Sequence, residues 1–300
     1  MSHQYEPICK FFEFTKFKHF LYSNSIFIEK IFRKKVYKSY SEYLVGFYFV
    51  NEIFKFFDSK SNRNFTSIER ISYCYKLIHF IVELDYFKSN DIDLFNCYRE
   101  ILNFSLELYT GKFNENKYTY IKNFVNTRKY GNIQNEFNID EYTFFCSDSH
   151  HTWHSFFNLD NYFKEHPPKS TIKFYILFLG KGSIISGLDL INIMKPIFKD
   201  NLDFDIINLS LYKKKEKKVS ISNIMENKIL EKRKKGYDIL IFQEDIHSGK
   251  TLDIFIKNLS ELLINDVKYL PLVLSNLITL KFQKNSMNND KFRWCGILPK

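Results

Sequence analysis

The sequence predicts an α/β protein in two parts: a parallel-sheet C-terminal domain preceded by a mainly α-helical N-terminal domain. Three observations predict it. Apolar residues recur at helical intervals from the start of the chain to about residue 145. After Pro167-Pro168 the rhythm changes to short unbroken apolar runs alternating with amphipathic segments, which marks parallel strands joined by crossover helices. With 45% hydrophobic residues, a chain of 300 residues buries a real core and has room for two domains of ordinary size.

Within residues 1–145 the first clear stripe runs from Tyr43 to Phe57 and includes Leu44, Phe47, Val50, Phe54 and Phe57. Ile68 to Leu84 repeats the pattern with Ile71, Tyr75, Ile78 and Val82, behind Thr66 and Ser67 as candidate N-caps. Further helices are expected over Ile92–Tyr109 and Lys117–Val125, with Gly131 in a polar loop after them. No period of 20 to 50 residues indicates a helical repeat. Phe14 to Leu21 and Lys30 to Lys35 mix cations with aromatics, as nucleic-acid surfaces do. The same mixture describes an amphipathic helix whose lysine stems cover the edge of a core. A formal charge of +10 favours anionic partners in general, although lysine is common throughout the chain.

Residues 146–168 form a histidine-rich connection, Cys146-Ser-Asp-Ser-His-His-Thr-Trp-His-Ser-Phe-Phe157. His150 and His154 stand four apart, a spacing that can hold zinc on one helix face. The glutamate of a metalloprotease motif and a clear third ligand are missing, so Asp148, His150, His151 and His154 suit instead the mouth of a neighbouring site or a solvated surface between domains. Cys9, Cys74, Cys97, Cys146 and Cys295 are scattered and odd in number, which argues against a disulfide framework or zinc ribbon and fits a reducing compartment. No signal-peptide pattern opens the chain and no apolar run approaches the length of a membrane span, so a cytoplasmic protein without a membrane partner is expected.

Residues 169–300 carry the strand-and-helix alternation. Ile172–Leu179 is a central strand, followed by Gly180, Lys181, Gly182 and Ser183 and a helix to Phe198. Two glycines free the amides of such a turn for an anion, and Lys181 adds a compact charge. Asp205–Leu211 is the second strand, leading into a basic run with Lys213, Lys214 and Lys215. A helix over Ser222–Lys235, a third strand over Tyr237–Phe242, a helix over Leu252–Ile264 and a fourth strand over Tyr269–Leu274 follow. Phe292 to Leu298 is a fifth strand or an edge.

The informative stretch is Ile239-Leu-Ile-Phe-Gln-Glu-Asp-Ile-His-Ser-Gly-Lys-Thr-Leu252. It reads as a buried strand, a phosphate-sized turn and a helix N-terminus. Gly249 lets the backbone approach a ligand, Ser248 and Thr251 supply hydroxyls, and the helix dipole with its leading amides favours an anion. Glu244 and Asp245 suit ribose hydroxyls or magnesium, because hard cations take oxygen ligands. A P-loop would need a glycine five residues before Gly249, and that position is Glu244.

This stretch resembles the phosphoribosyl-pyrophosphate signature of the type I phosphoribosyltransferases: four apolar residues, two acids, a spacer and Thr/Ser-Gly-x-Thr/Ser. The resemblance covers about residues 170–298 and rests on the order of strand, glycine loop, helix, strand, basic loop, strand and acidic loop. It implies that Ser248, Gly249, Lys250 and Thr251 hold the 5-phosphate. Gly180, Lys181, Gly182 and Ser183, with a closing loop containing Lys213, Lys214 and Lys215, would hold the pyrophosphate. Glu244 and Asp245 would face the ribose and magnesium (Mg2+), with His247 exchanging a proton with the acceptor. Aromatic residues after the last strands, here Phe292 or Trp294, would stack on a base. Counting back from Ser248, the usual acidic pair falls on Gln243 and Glu244, so Glu244-Asp245 stands one residue displaced. His247 occupies the place of an acidic base in some purine enzymes of the family.

Two functions are therefore expected from the resemblance. One is phosphoribosyl transfer from phosphoribosyl pyrophosphate to a base, nucleotide or macromolecule, and divergent members joined to unfamiliar helical domains resemble effectors of bacterial conflict systems, including those encoded with retrons. The other is a non-catalytic nucleotide-binding regulator whose helical half contacts nucleic acid or protein, an alternative that Gln243 keeps open. Self-association into a homo-oligomer is compatible with either.

Overall fold

The computed structural model describes residues 45–60, 63–84, 86–138, 149–167, 171–207, 221–262, 271–278 and 292–295. They divide into two compact units: Met1–Leu84 with Asp91–Ser149, and Asp85–Asn90 with His150–Lys300.

In the first unit β1 (Val45–Phe49) pairs antiparallel with β2 (Gln134–Asn138), and α1 (Val50–Ser59), α2 (Ser67–Glu83), α3 (Ile92–Tyr109) and α4 (Glu115–Thr127) supply the rest. The helix expected from Tyr43 begins only at Val50. Val45 to Phe49 instead pair with residues 134–138, with Tyr48 buried and Phe47 69% exposed, the alternation of a strand. A short aromatic run satisfies both periods, and a pairing partner far along the chain decides between them. The remaining helices start where polar caps stand. Thr66 accepts from the Glu69 amide, Asp91 from the amides of Asp93 and Leu94, and Asn114 from that of Lys117. Phe57 centres the core, with edge-on contacts to Phe65, Phe104, Phe113 and Tyr118 at centroid distances of 5.4, 6.0, 5.5 and 5.7 Å. These phenylalanines build a core.

The second unit is α/β. Its elements are α5 (Ser149–Glu165), β3 (Phe174–Leu179), α6 (Ser183–Phe198), β4 (Leu202–Ile207), α7 (Asn223–Lys234), β5 (Asp238–Ile246), α8 (Lys250–Leu262), β6 (Leu272–Ile278) and β7 (Arg293–Trp294). The five strands form one sheet in the order β4-β3-β5-β6-β7, and every neighbouring pair is parallel. β3 is buried along its whole length, as its unbroken apolar sequence requires. β5 runs on past Phe242 to Ile246, because Gln243 pairs with Ser275 and Asp245 with Leu277 of β6. The acidic residues expected in a loop are thus part of the strand.

Successive strand residues face opposite sides of the sheet. Phe178, Phe204 and Phe242 meet edge-on on the side covered by α6, with Phe178 5.9 Å from Phe204 and 5.4 Å from Phe242. Gly187 of α6 lies against the Phe178 ring, where a Cβ would come within 2.9 Å. On the opposite side Asp205 is wholly buried, accepting from the Tyr175 hydroxyl and from Lys228 of α7, while Lys232 meets Asp203 at 2.8 Å. The buried Asp205 carboxylate thus has a cation beside it, as burial demands.

The histidine-rich connection is helical in α5, which belongs to this unit. Its buried Ser155 hydroxyl lies 2.7 Å from the Ser275 carbonyl and 3.1 Å from Asn276 Oδ1, and Asn276 Nδ2 donates to Thr152 Oγ1 at 3.3 Å. Among the described residues no helix is long and apolar enough to cross a membrane. Cys74, Cys97 and Cys295 are buried free thiols, and Cys9 and Cys146 lie outside the described residues.

Candidate functional site

From β3 the chain crosses by α6 to β4 on one side, whereas β5, β6 and β7 extend the sheet on the other. Connections therefore leave in opposite directions at the carboxyl ends of β3 and β5, the position where open α/β sheets generally hold ligands. The two sequence-predicted loops follow these two strands, residues 180–182 after β3 and 247–249 after β5. Neighbouring strands thus bring them to the same sheet edge.

After β3, Gly180 takes φ +77° and donates its amide to the Ile207 carbonyl at 2.8 Å, which turns the chain away from the sheet. Gly182 precedes the first turn of α6. A Cβ there would lie 1.9 Å from Glu244 Oε1, so the glycine makes room for that carboxyl. Ser183 Oγ lies 2.7 Å from the Leu179 carbonyl and makes a short hydrogen bond with Glu244 Oε2. Burial pushes the Glu244 carboxyl up to about 7; the Ser183 hydrogen bond acts against this and the nearby Asp245 charge adds to it.

After β5, His247 and Ser248 are exposed, Gly249 is buried at φ +72°, and Lys250 opens α8 on the surface with Thr251 half-buried behind it. The Asp253 amide donates to the Gly249 carbonyl at 2.8 Å, which closes the first helical turn. The amides of Lys250, Thr251 and Leu252 precede the point where intrahelical acceptors become available, and the helix dipole adds positive potential there. This geometry suits an anionic group beside the Ser248 hydroxyl.

The loops sit side by side on one sheet edge. No known family, characterised protein or solved structure matches the chain.

Glu244 and Asp245 are consecutive residues of β5, so they face opposite sides of the sheet. Glu244 faces α6, and Gln243 and Asp245 share the other side. One ion held by both carboxylates would require the end of β5 to leave the sheet. A magnesium ion carried on a polyphosphate needs only one or two carboxylates besides the phosphates and water, so a single acid at this strand end fits it. Gln243 Oε1 is buried and has no hydrogen-bond partner among the described residues.

Lys181 is half-buried, whereas Lys213, Lys214 and Lys215 lie outside the described residues. His150 and His154 fall in the first turns of α5, and their side chains also lie outside them. No group of three or more His, Cys, Asp or Glu suited to a metal ion occurs among the described residues. Phe292 is buried and meets Trp294 edge-on at 6.4 Å beside the short edge strand β7. Sequence reasoning missed Thr152, Ser155, Ser275 and Asn276, which tie α5 to the carboxyl end of β6. The available signal was Ser-Asn interrupting the apolar run Leu272–Ile278.

Proposed function

We propose that the C-terminal unit binds phosphoribosyl pyrophosphate with magnesium and transfers its phosphoribosyl group to a base, nucleotide or macromolecular acceptor, releasing pyrophosphate. The observation that carries this reading is that two glycine-containing loops, one of them opening a helix N-terminus, follow the carboxyl ends of adjacent strands β3 and β5. A ligand with phosphate at one end of a sugar and pyrophosphate at the other matches two such loops. The 5-phosphate lies on Ser248, Gly249, Lys250 and Thr251, and the pyrophosphate on the Gly180–Ser183 turn with Lys181. Ribose hydroxyls and magnesium fall to the acidic end of β5, where the ion offsets the charge of the pyrophosphate.

Chemically, the bond from the anomeric carbon to pyrophosphate breaks and a bond from that carbon to the acceptor nucleophile forms. The developing positive charge on the sugar is stabilised by nearby carboxylate and by exclusion of water. His247, exposed at the loop, takes the acceptor's proton. A second reading, a nucleotide-binding regulator without turnover, draws on Gln243 standing where the signature carries an acid.

The test is calorimetric titration of the purified chain with phosphoribosyl pyrophosphate and magnesium, beside a Ser248→Asp, Thr251→Ala double variant. Pyrophosphate release is followed in the same preparation with pooled bases and nucleotides. Binding lost in the variant, together with release, is the expected result. Binding without release under any acceptor favours the regulator, and absence of binding overturns both readings.

A further inference from the structure

We propose that Glu244 is a positioning residue that clamps the Gly180–Ser183 loop to the end of β5, and is not a ligand of the metal or the ribose. The inference rests on the function proposed above and divides the labour of the acidic pair within it.

One oxygen of the Glu244 carboxyl bonds to the neighbouring loop and the other lies against it. Oε1 occupies the space that any side chain at position 182 would fill, 1.9 Å from where its Cβ would stand. Oε2 bonds to Ser183 Oγ. The serine hydroxyl has one proton and a carbonyl can only accept, so when Ser183 donates to Leu179 O at 2.7 Å, Glu244 must supply the proton of the short bond. The alternative, donation by Ser183 to the carboxyl, uses the same oxygen. In either arrangement the carboxyl is directed at the first turn of α6. Asp245 is on the other side of β5, with Gln243.

The consequence is geometric. The clamp joins the first turn of α6 to the end of β5, four residues ahead of Ser248. It therefore sets the separation between the loop after β3 and the loop after β5. A sugar carrying phosphates at both ends has a fixed span, so that separation governs its affinity.

The test uses the full chain and the variants Glu244→Gln, Glu244→Ala, Gly182→Ala and the double variant Gly182→Ala, Glu244→Ala. Thermal unfolding reads the clamp without any ligand. Gly182→Ala should lower the melting temperature with Glu244 present and should have little further effect once Glu244 is alanine. Titration with phosphoribosyl pyrophosphate across a magnesium series reads the role. Loss of one positioning hydrogen bond in Glu244→Ala should weaken binding roughly tenfold. Glu244→Gln, whose carboxamide can still donate to Ser183 Oγ, should recover most of that loss with the magnesium midpoint unmoved.

A magnesium midpoint that rises in Glu244→Gln would identify a metal ligand and overturn the proposal. Equal damage by Gly182→Ala in both backgrounds would also overturn it, because the carboxyl would then not occupy that space. If the melting data show the coupling and the wild-type chain binds no phosphoribosyl pyrophosphate, the proposed function falls. The clamp would then be part of the fold alone.

Discussion

Surrounding the Glu244 carboxyl with protein keeps it protonated to higher pH than a solvated glutamate, with its affinity for the proton pushed up to about 7. The folded chain therefore binds this proton more tightly than the unfolded chain does. The associated stability is complete below the ordinary glutamate value of 4.5 and is lost as pH rises to about 7. Asp58 runs the other way. Hydrogen bonds from Lys122 and then Tyr118 hold its carboxyl below the usual range, so its contribution is lost as pH falls. Comparing wild type with Glu244→Gln cancels Asp58 and isolates Glu244. Urea midpoints taken from about pH 4 to about pH 8 should move in favour of Glu244→Gln as pH rises, and then level off. A difference that stays flat with pH would mean that the carboxyl is solvated.

Among the elements, α2 shows how local chemistry sets a boundary. Thr66 Oγ1 accepts from the Glu69 amide at 3.3 Å, and Glu69 Oε2 accepts from the Thr66 amide at 2.8 Å, a reciprocal capping box. Thr66→Ala should cost about 1 kcal/mol, read as a lower urea midpoint at unchanged slope. An unchanged midpoint would show that solvent satisfies these amides equally well. Boundaries of this kind were legible in the sequence, since the cap and its partner are three residues apart. The end of β5 was not. Gln243, Glu244 and Asp245 resemble loop residues by composition, and they extend the strand because Ser275 and Leu277, some thirty residues away, pair with them. Likewise Val45 to Phe49 form a strand only because residues 134–138 lie alongside.

At the scale of the whole molecule the two units interleave along the chain: Asp85–Asn90 falls in the middle of the helical sequence and belongs to the sheet-containing unit. Tyr86 is fully buried there, and its hydroxyl donates to the Ile206 carbonyl of β4. The Asn223 amide, at the start of α7, donates to Asn90 Oδ1 at 3.1 Å. Tyr86→Ala should therefore destabilise the α/β unit by roughly 3–5 kcal/mol, as large-to-small aromatic changes in cores do. Tyr86→Phe, which removes one hydrogen bond, should cost about 1 kcal/mol. Chemical denaturation of the full chain measures both. A neutral Tyr86→Ala would remove residues 85–90 from that unit.

The sequence by itself determined the α/β alternation after residue 170, the helices of the first unit and the two glycine-containing loops. Each of these depends on residues close together in the chain: apolar periodicity, caps, and glycine-containing turns after apolar runs. Only the tertiary structure decided that β3 and β5 are neighbours, so that the two loops share one sheet edge. It also decided that Glu244 reaches Ser183 across 61 positions of sequence, and that Asp245 turns to the opposite side. Strand order and the direction of a side chain at a strand end follow from long-range pairing and burial, which compete over the whole chain and leave no local periodicity to read.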